Sequence, residues 1–162
     1  MRGVLVCLAL LVQPASAGDG NLRPLDTGVV AGRWAAVGRI DFGSDGFCTG
    51  TLIAPDVVLT AAHCLYDMTT GRPHAPSEVT FLAGWRDGRA EADRAVAMLL
   101  PHPGFQPGLE QDVEARRTQT SHDIGLIKLA QPILLPSITP APTGSFPRNG
   151  DRVEIVSYAK DR

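Results

Sequence analysis

The sequence predicts an all-β fold, either a barrel or a sandwich, and three observations predict it. Short apolar runs recur along the chain and alternate with turns that contain Gly, Pro, Asp or Asn. The 162 residues include 17 Gly and 13 Pro, which suits many tight connections. The chain is 44% hydrophobic and 20% charged, so it can form a core and is not typical of a disordered protein.

Six apolar runs are predicted as strands, at residues 34–41, 47–53, 57–59, 78–82, 124–129 and 153–156. The first two are joined by Gly-Ser-Asp-Gly at 43–46, which is a hairpin turn signal. Many short strands at this spacing are typical of barrels and sandwiches.

The segment 89–100 is ambiguous. It contains good helix formers, so propensity alone predicts a helix. Its last part, 95–100, also fits a buried strand that ends at Pro101.

The first 17 residues resemble a secretory signal peptide rather than a part of the fold. Met1 and Arg2 precede an apolar run at 4–12, and Ala15-Ser16-Ala17 provides a small-residue cleavage site before Gly18. The alternative is a buried N-terminal helix. The signal predicts a secreted or periplasmic protein with no membrane association after cleavage.

Two further segments are predicted as irregular. Residues 18–32 form a loose lead-in that is rich in Gly, Asp and Pro. Residues 104–121 form a long polar loop, for which a solvated insertion is favoured over contact with a substrate.

Charge and hydropathy exclude two classes of function. The formal net charge is −2, so no basic field indicates nucleic-acid binding. No apolar run reaches the roughly 18 residues that a membrane-spanning helix needs.

Removal of the signal peptide leaves two cysteines, Cys48 and Cys64. In an exported chain they are predicted to form one disulfide, the alternative being two free thiols. A cross-link of this span is worth about 3 kcal/mol by chain-entropy reasoning.

The candidate catalytic residues are His63 and Asp123. His63 adjoins Cys64 just after an apolar strand, where a disulfide would hold it rigidly. Asp123 opens the apolar run 124–129, and a carboxylate there needs a partner such as a histidine N–H. A zinc site of His63, His122 and Asp123 lacks metal-ligand spacing, so no metal or cofactor is predicted. His122 itself is expected to be solvated.

Three motifs carry a family resemblance: Cys-Thr-Gly-Thr-Leu-Ile at 48–53, Thr-Ala-Ala-His-Cys at 60–64 and Asp-Ile-Gly-Leu-Ile-Lys-Leu at 123–129. Together they resemble the trypsin/chymotrypsin-like serine proteases, in which His precedes Asp and the nucleophilic serine comes last. The first motif looks more like the bacterial glutamyl-endopeptidase-like branch. The resemblance covers residues 34–129 and continues weakly through 150–156.

The resemblance implies the architecture. Residues 33–130 would form a six-stranded antiparallel Greek-key barrel, the first of the family's two, with residues 95–100 as one of its strands. Residues 131–150 would be the interdomain linker, and 151–162 the start of a second barrel that is essentially missing. A monomer acting on protein or peptide substrates is implied, with His63 as general base, Asp123 as its orienting carboxylate and Cys48–Cys64 as the adjacent disulfide.

No nucleophile is predicted in this chain. The family's serine lies in a Gly-Asp-Ser-Gly-Gly-type setting, and no serine after Asp123 has one. Ser44 comes closest, but it precedes His63 and lies in the predicted hairpin turn. The sequence therefore predicts a truncated, inactive serine endopeptidase that also lacks the oxyanion hole. The alternative is a pseudoprotease that serves as a binding module.

Overall fold

The computed structural model describes residues 32–43, 46–107, 120–144 and 146–158. The predicted signal peptide, nearly all of the lead-in and most of the 104–121 loop lie outside these ranges. Within the described ranges, no helix has the length and hydrophobicity to cross a membrane.

Nearly all of the regular secondary structure in the described residues is β-strand. Its strands are β1 (Val37–Asp41), β2 (Phe47–Ala54), β3 (Val57–Thr60), β4 (Tyr66–Asp67), β5 (Arg72–Pro73), β6 (Thr80–Ala83), β7 (Ala92–Pro101) and β8 (Gly125–Leu129). Two short 3-10 helices, Ala62–Leu65 and Pro76–Glu78, interrupt them. The predicted all-β class is confirmed.

Six of the strands close into an antiparallel barrel in the order β1-β2-β3-β8-β7-β6, and β6 pairs with β1 to complete the ring. The stretch β6-β1-β2-β3 has the order of a Greek key, because the fourth strand of the motif lies beside the first. The predicted six-stranded barrel is confirmed. Strands β4 and β5 form a separate hairpin that the sequence analysis missed.

The ambiguous segment is a strand, as the resemblance implied. Strand β7 includes Ala92–Arg94, which propensity had assigned to a helix, and it pairs with β6 on one side and with β8 on the other. Two ladders of backbone hydrogen bonds outweigh a helix preference of a few tenths of a kcal/mol per residue.

Apolar side chains fill the barrel. Along β8 the alternation is regular, with Gly125, Ile127 and Leu129 buried and the residues between them exposed. The largest fully buried side chains are Phe81, Ile40, Leu52, Leu65, Ile127, Ile133 and Val58. Two of the core residues, Ile133 and Ile138, belong to the predicted linker, which therefore packs against the barrel.

The predicted strand at 153–156 is wrong, since these residues lie in neither a strand nor a helix. A strand requires a neighbour for its backbone hydrogen bonds, and no other described strand pairs with this segment. Its side chains are largely exposed, with Ile155 at 89%.

Tyr158 attaches the end of the described chain to the barrel. Its hydroxyl donates to the carbonyl of Trp85 at 2.8 Å, and its backbone N–H donates to Thr49 Oγ1 at 2.8 Å. Burial raises the pKa of the Tyr158 hydroxyl, which keeps it a donor. The extended segment before it is thus fixed at its far end.

Candidate active site

The 3-10 helix Ala62–Leu65 presents His63 at the surface. Its neighbours anchor the helix, because Leu65 is 1% exposed in the core and Cys64 forms a disulfide with Cys48 of β2. The Cα atoms of the two cysteines are 6.1 Å apart. The predicted disulfide is confirmed. The His63 side chain is 48% exposed, so a rigid support holds an accessible imidazole.

Asp123 binds His63 through both carboxylate oxygens. Oδ1 accepts the backbone N–H of His63 at 2.8 Å, and Oδ2 lies 2.7 Å from Nδ1. A carboxylate can only accept, so Nδ1 carries the proton, and in the neutral imidazole Nε2 keeps its lone pair. The carboxylate thereby fixes the position of the residue as well as the tautomer of its ring.

Close packing brings the start of β8 to this helix. A Cβ atom on Gly125 would lie 2.7 Å from Leu65 Cδ1, so the buried leucine or the strand would have to shift. The missing side chain therefore lets the start of β8, two residues after Asp123, pack closely against the helix that carries His63. On the other side, Thr60 Oγ1 donates to the Thr49 carbonyl at 2.9 Å and ties β3 to β2.

The four sequence-predicted site residues are brought together, but another histidine differs from expectation. His122 is only partly exposed, because its ring stacks on His102, with centroids 4.7 Å apart and planes at 7°. The sequence shows that both residues are histidines, but it does not show that their rings meet. Their contact depends on β7 and β8 lying side by side. Ser44 lies outside the described residues.

One group of three potential metal ligands occurs among the described residues, formed by Cys48, His63 and Cys64. Their ligand atoms lie within 4.8 Å of one another. The disulfide occupies both sulfurs, and a thiolate rather than a disulfide sulfur is the ligand that zinc prefers. The group therefore offers a metal only the imidazole of His63.

Comparison with known proteins was made on the whole sequence. The family model described as Trypsin matches residues 27–161. Serine protease 56 of Homo sapiens is 35% identical over 144 residues, covering 77% of this chain and 21% of that protein. Coagulation factor XII of Rattus norvegicus is 32% identical over 142 residues, covering 76% and 21%. Transmembrane protease serine 5 of Homo sapiens is 29% identical over 122 residues, covering 71% and 27%. The chain thus spans about a fifth to a quarter of the length of these relatives.

These relatives are mammalian, and they do not support the bacterial glutamyl-endopeptidase-like branch that the motif at 48–53 suggested. That motif contains two threonines, at positions 49 and 51. Thr49 stabilises the barrel, because its hydroxyl accepts a hydrogen bond from the backbone N–H of Tyr158 and its carbonyl accepts one from the hydroxyl of Thr60.

Proposed function

The chain belongs to the trypsin-like serine protease family, and on that premise we propose that it carries the acid–base pair of a secreted serine endopeptidase. The observation that supports the proposal most directly is the double contact of the Asp123 carboxylate with the backbone and the ring of His63. That contact leaves Nε2 free to accept a proton, as a general base must.

In the proposed reaction, His63 Nε2 takes the hydroxyl proton of a serine as its oxygen bonds to the peptide carbonyl carbon. The protonated imidazole then gives that proton to the leaving amine as the C–N bond breaks, and water releases the acyl group by the same exchange. Asp123 stabilises the imidazolium without becoming protonated. The substrates would be proteins or peptides.

The proposal assigns the nucleophile and the oxyanion hole to a second barrel that these 162 residues do not supply. No serine after Asp123 has glycine neighbours of the kind found around the family's nucleophile. A catalytic unit whose members act together retains little activity when one is missing. We therefore expect no proteolysis by these residues alone.

The same observation favours a second candidate, a binding module that has lost catalysis. The transcript downstream of the Arg162 codon distinguishes the two candidates. A continuing frame with a Gly-x-Ser-Gly motif would support the endopeptidase, whereas an immediate stop codon would support the binding module.

Export is part of the proposal. The Cys48–Cys64 disulfide supports it, because disulfides persist in oxidising compartments and are rare in the cytosol. The small-residue site before Gly18 supports removal of residues 1–17.

An active-site fluorophosphonate should not label the 162-residue chain, because no activated serine is present. Intact mass spectrometry after incubation would measure this, with trypsin as the positive control. Stoichiometric labelling that disappears in His63→Ala would contradict the prediction that the nucleophile is missing from these residues.

The substitution Asp123→Asn should remove the preference of the His63 ring for the Nδ1–H tautomer. The amide would present a donor as well as an acceptor to the imidazole, so the Nε2–H form becomes accessible. The ring 15N chemical shifts of His63 measure the tautomer ratio. In an active enzyme containing this pair, the same substitution should lower kcat by about 10⁴-fold.

The matched control is Asp56→Asn, because Asp56 pairs with Lys128 rather than with a histidine. It should leave the His63 shifts unchanged. Equal tautomer ratios in the wild type and Asp123→Asn would show that the carboxylate does not orient the ring, and the proposed role of Asp123 would fail.

A further inference from the structure

We propose that His122 is a positioning residue, whose stack on His102 fixes Asp123 in register with His63. The inference rests on the proposed function, in which Asp123 orients the general base. It gives a structural role to His122 and His102, which take no part in the proposed proton transfers.

Contacts on both sides of Asp123 tie it to the end of β7. His122, immediately before it, lies flat on the ring of His102, which directly follows β7. Ile124, immediately after it, accepts the backbone N–H of His102 at 2.9 Å through its carbonyl. One residue of the β7 end therefore contacts both neighbours of the carboxylate-bearing residue.

Gly104 forms a close contact that keeps the stack in place. Its N–H donates to His102 Nδ1 at 3.0 Å, which holds the orientation of that ring. A Cβ atom at position 104 would lie 2.8 Å from His122 Nδ1, so only glycine lets the second ring approach this turn. Any larger residue would push His122, and with it the adjoining Asp123.

The stack acts through shape rather than through a hydrogen bond of His122 Nδ1. That nitrogen is buried and has no hydrogen-bond partner within the described ranges of the chain. An unpaired buried polar atom is unfavourable, so the ring is held by its flat contact and not by this atom. A phenyl ring should therefore replace the imidazole in its positioning role, whereas alanine should not.

The experiment compares His122→Phe with His122→Ala in the 162-residue chain. Two measurements report on the Asp123–His63 contact: hydrogen exchange of the His63 backbone amide, which donates to Asp123, and the 15N shifts of the His63 ring. In His122→Ala we expect about ten-fold faster exchange at His63 from local opening, with a shifted tautomer ratio and unchanged exchange in the barrel core. His122→Phe should match the wild type in both.

A second pair of variants keeps the test decisive if His122→Ala fails to fold. Gly104→Ala should reproduce the faster exchange at His63 by displacing His122. Its control is Gly144→Ala, because a Cβ there would meet nothing within 4 Å, and it should have no effect.

Three results would overturn the inference: unchanged His63 exchange in both His122→Ala and Gly104→Ala, equal loss of protection throughout the barrel, or a His122→Phe variant that behaves like alanine. The last would show that the nitrogen rather than the ring shape is needed. A wild-type ring with no preference for the Nδ1–H tautomer would instead overturn the proposed function, so the two failures are distinguishable.

Discussion

Replacing Phe81 with alanine should lower the free energy of unfolding by about 3–5 kcal/mol, the range for deletion of a large buried aromatic side chain. Phe81 is 0% exposed at the centre of the barrel. Its ring occupies the space that Gly38 leaves open, since a Cβ on Gly38 would lie 2.5 Å from it. In Phe81→Ala, the paired strands β1 and β6 would therefore lose the contact between this ring and Gly38. Urea unfolding followed by circular dichroism would measure the loss.

The control is Phe146→Ala, which makes the same change at a residue that is 94% exposed. It should change the free energy of unfolding by no more than about 0.5 kcal/mol, as surface substitutions do. Similar losses in the two variants would contradict the placement of Phe81 as the central core residue.

Removing the disulfide with Cys48→Ala and Cys64→Ala should cost about 3 kcal/mol, because the cross-link closes a short loop and restricts the unfolded chain. The cysteines are separated by 16 positions in the sequence. Removal of the disulfide should also loosen the candidate active site, since Cys64 adjoins His63 in the same 3-10 helix. Thermal unfolding with and without dithiothreitol separates the cross-link from the packing of the side chains.

Dithiothreitol should lower the melting temperature of the wild type toward that of the double variant and leave the double variant unchanged. A wild type whose melting temperature does not respond to the reductant would contradict a stabilising cross-link. Faster exchange of the His63 amide in the double variant would show that the disulfide supports the site as well as the fold.

Much of the candidate site could be predicted because its signals are local in the sequence. His63 adjoins Cys64, and Asp123 opens a run whose alternation gives the buried face of β8. Short motifs of this kind identify the residues that can form the site once the strands that carry them pair. The disulfide followed from counting cysteines, and the structure confirmed it.

Other features depended on which segments become neighbours, and local patterns do not determine that. The strand preference of residues 153–156 was not realised, because a strand forms only where another strand accepts its hydrogen bonds. The helix preference of residues 92–94 was overridden for the opposite reason, since β6 pairs with these three residues and extends β7 beyond its ladder with β8. His122, expected in solvent, stacks on His102 because β7 ends beside the start of β8.

The sequence by itself determined the all-β class, the cysteine pair and the identity of the His63 and Asp123 candidates. Composition, alternation and short motifs report directly on these features. The tertiary structure alone decided that both oxygens of Asp123 bind His63, that Gly125 and Gly104 permit the close approaches around them, and that His102 stacks on the residue before Asp123. The physical reason is that hydrogen bonds and ring contacts act over a few ångströms, between residues that only the closed barrel brings that near.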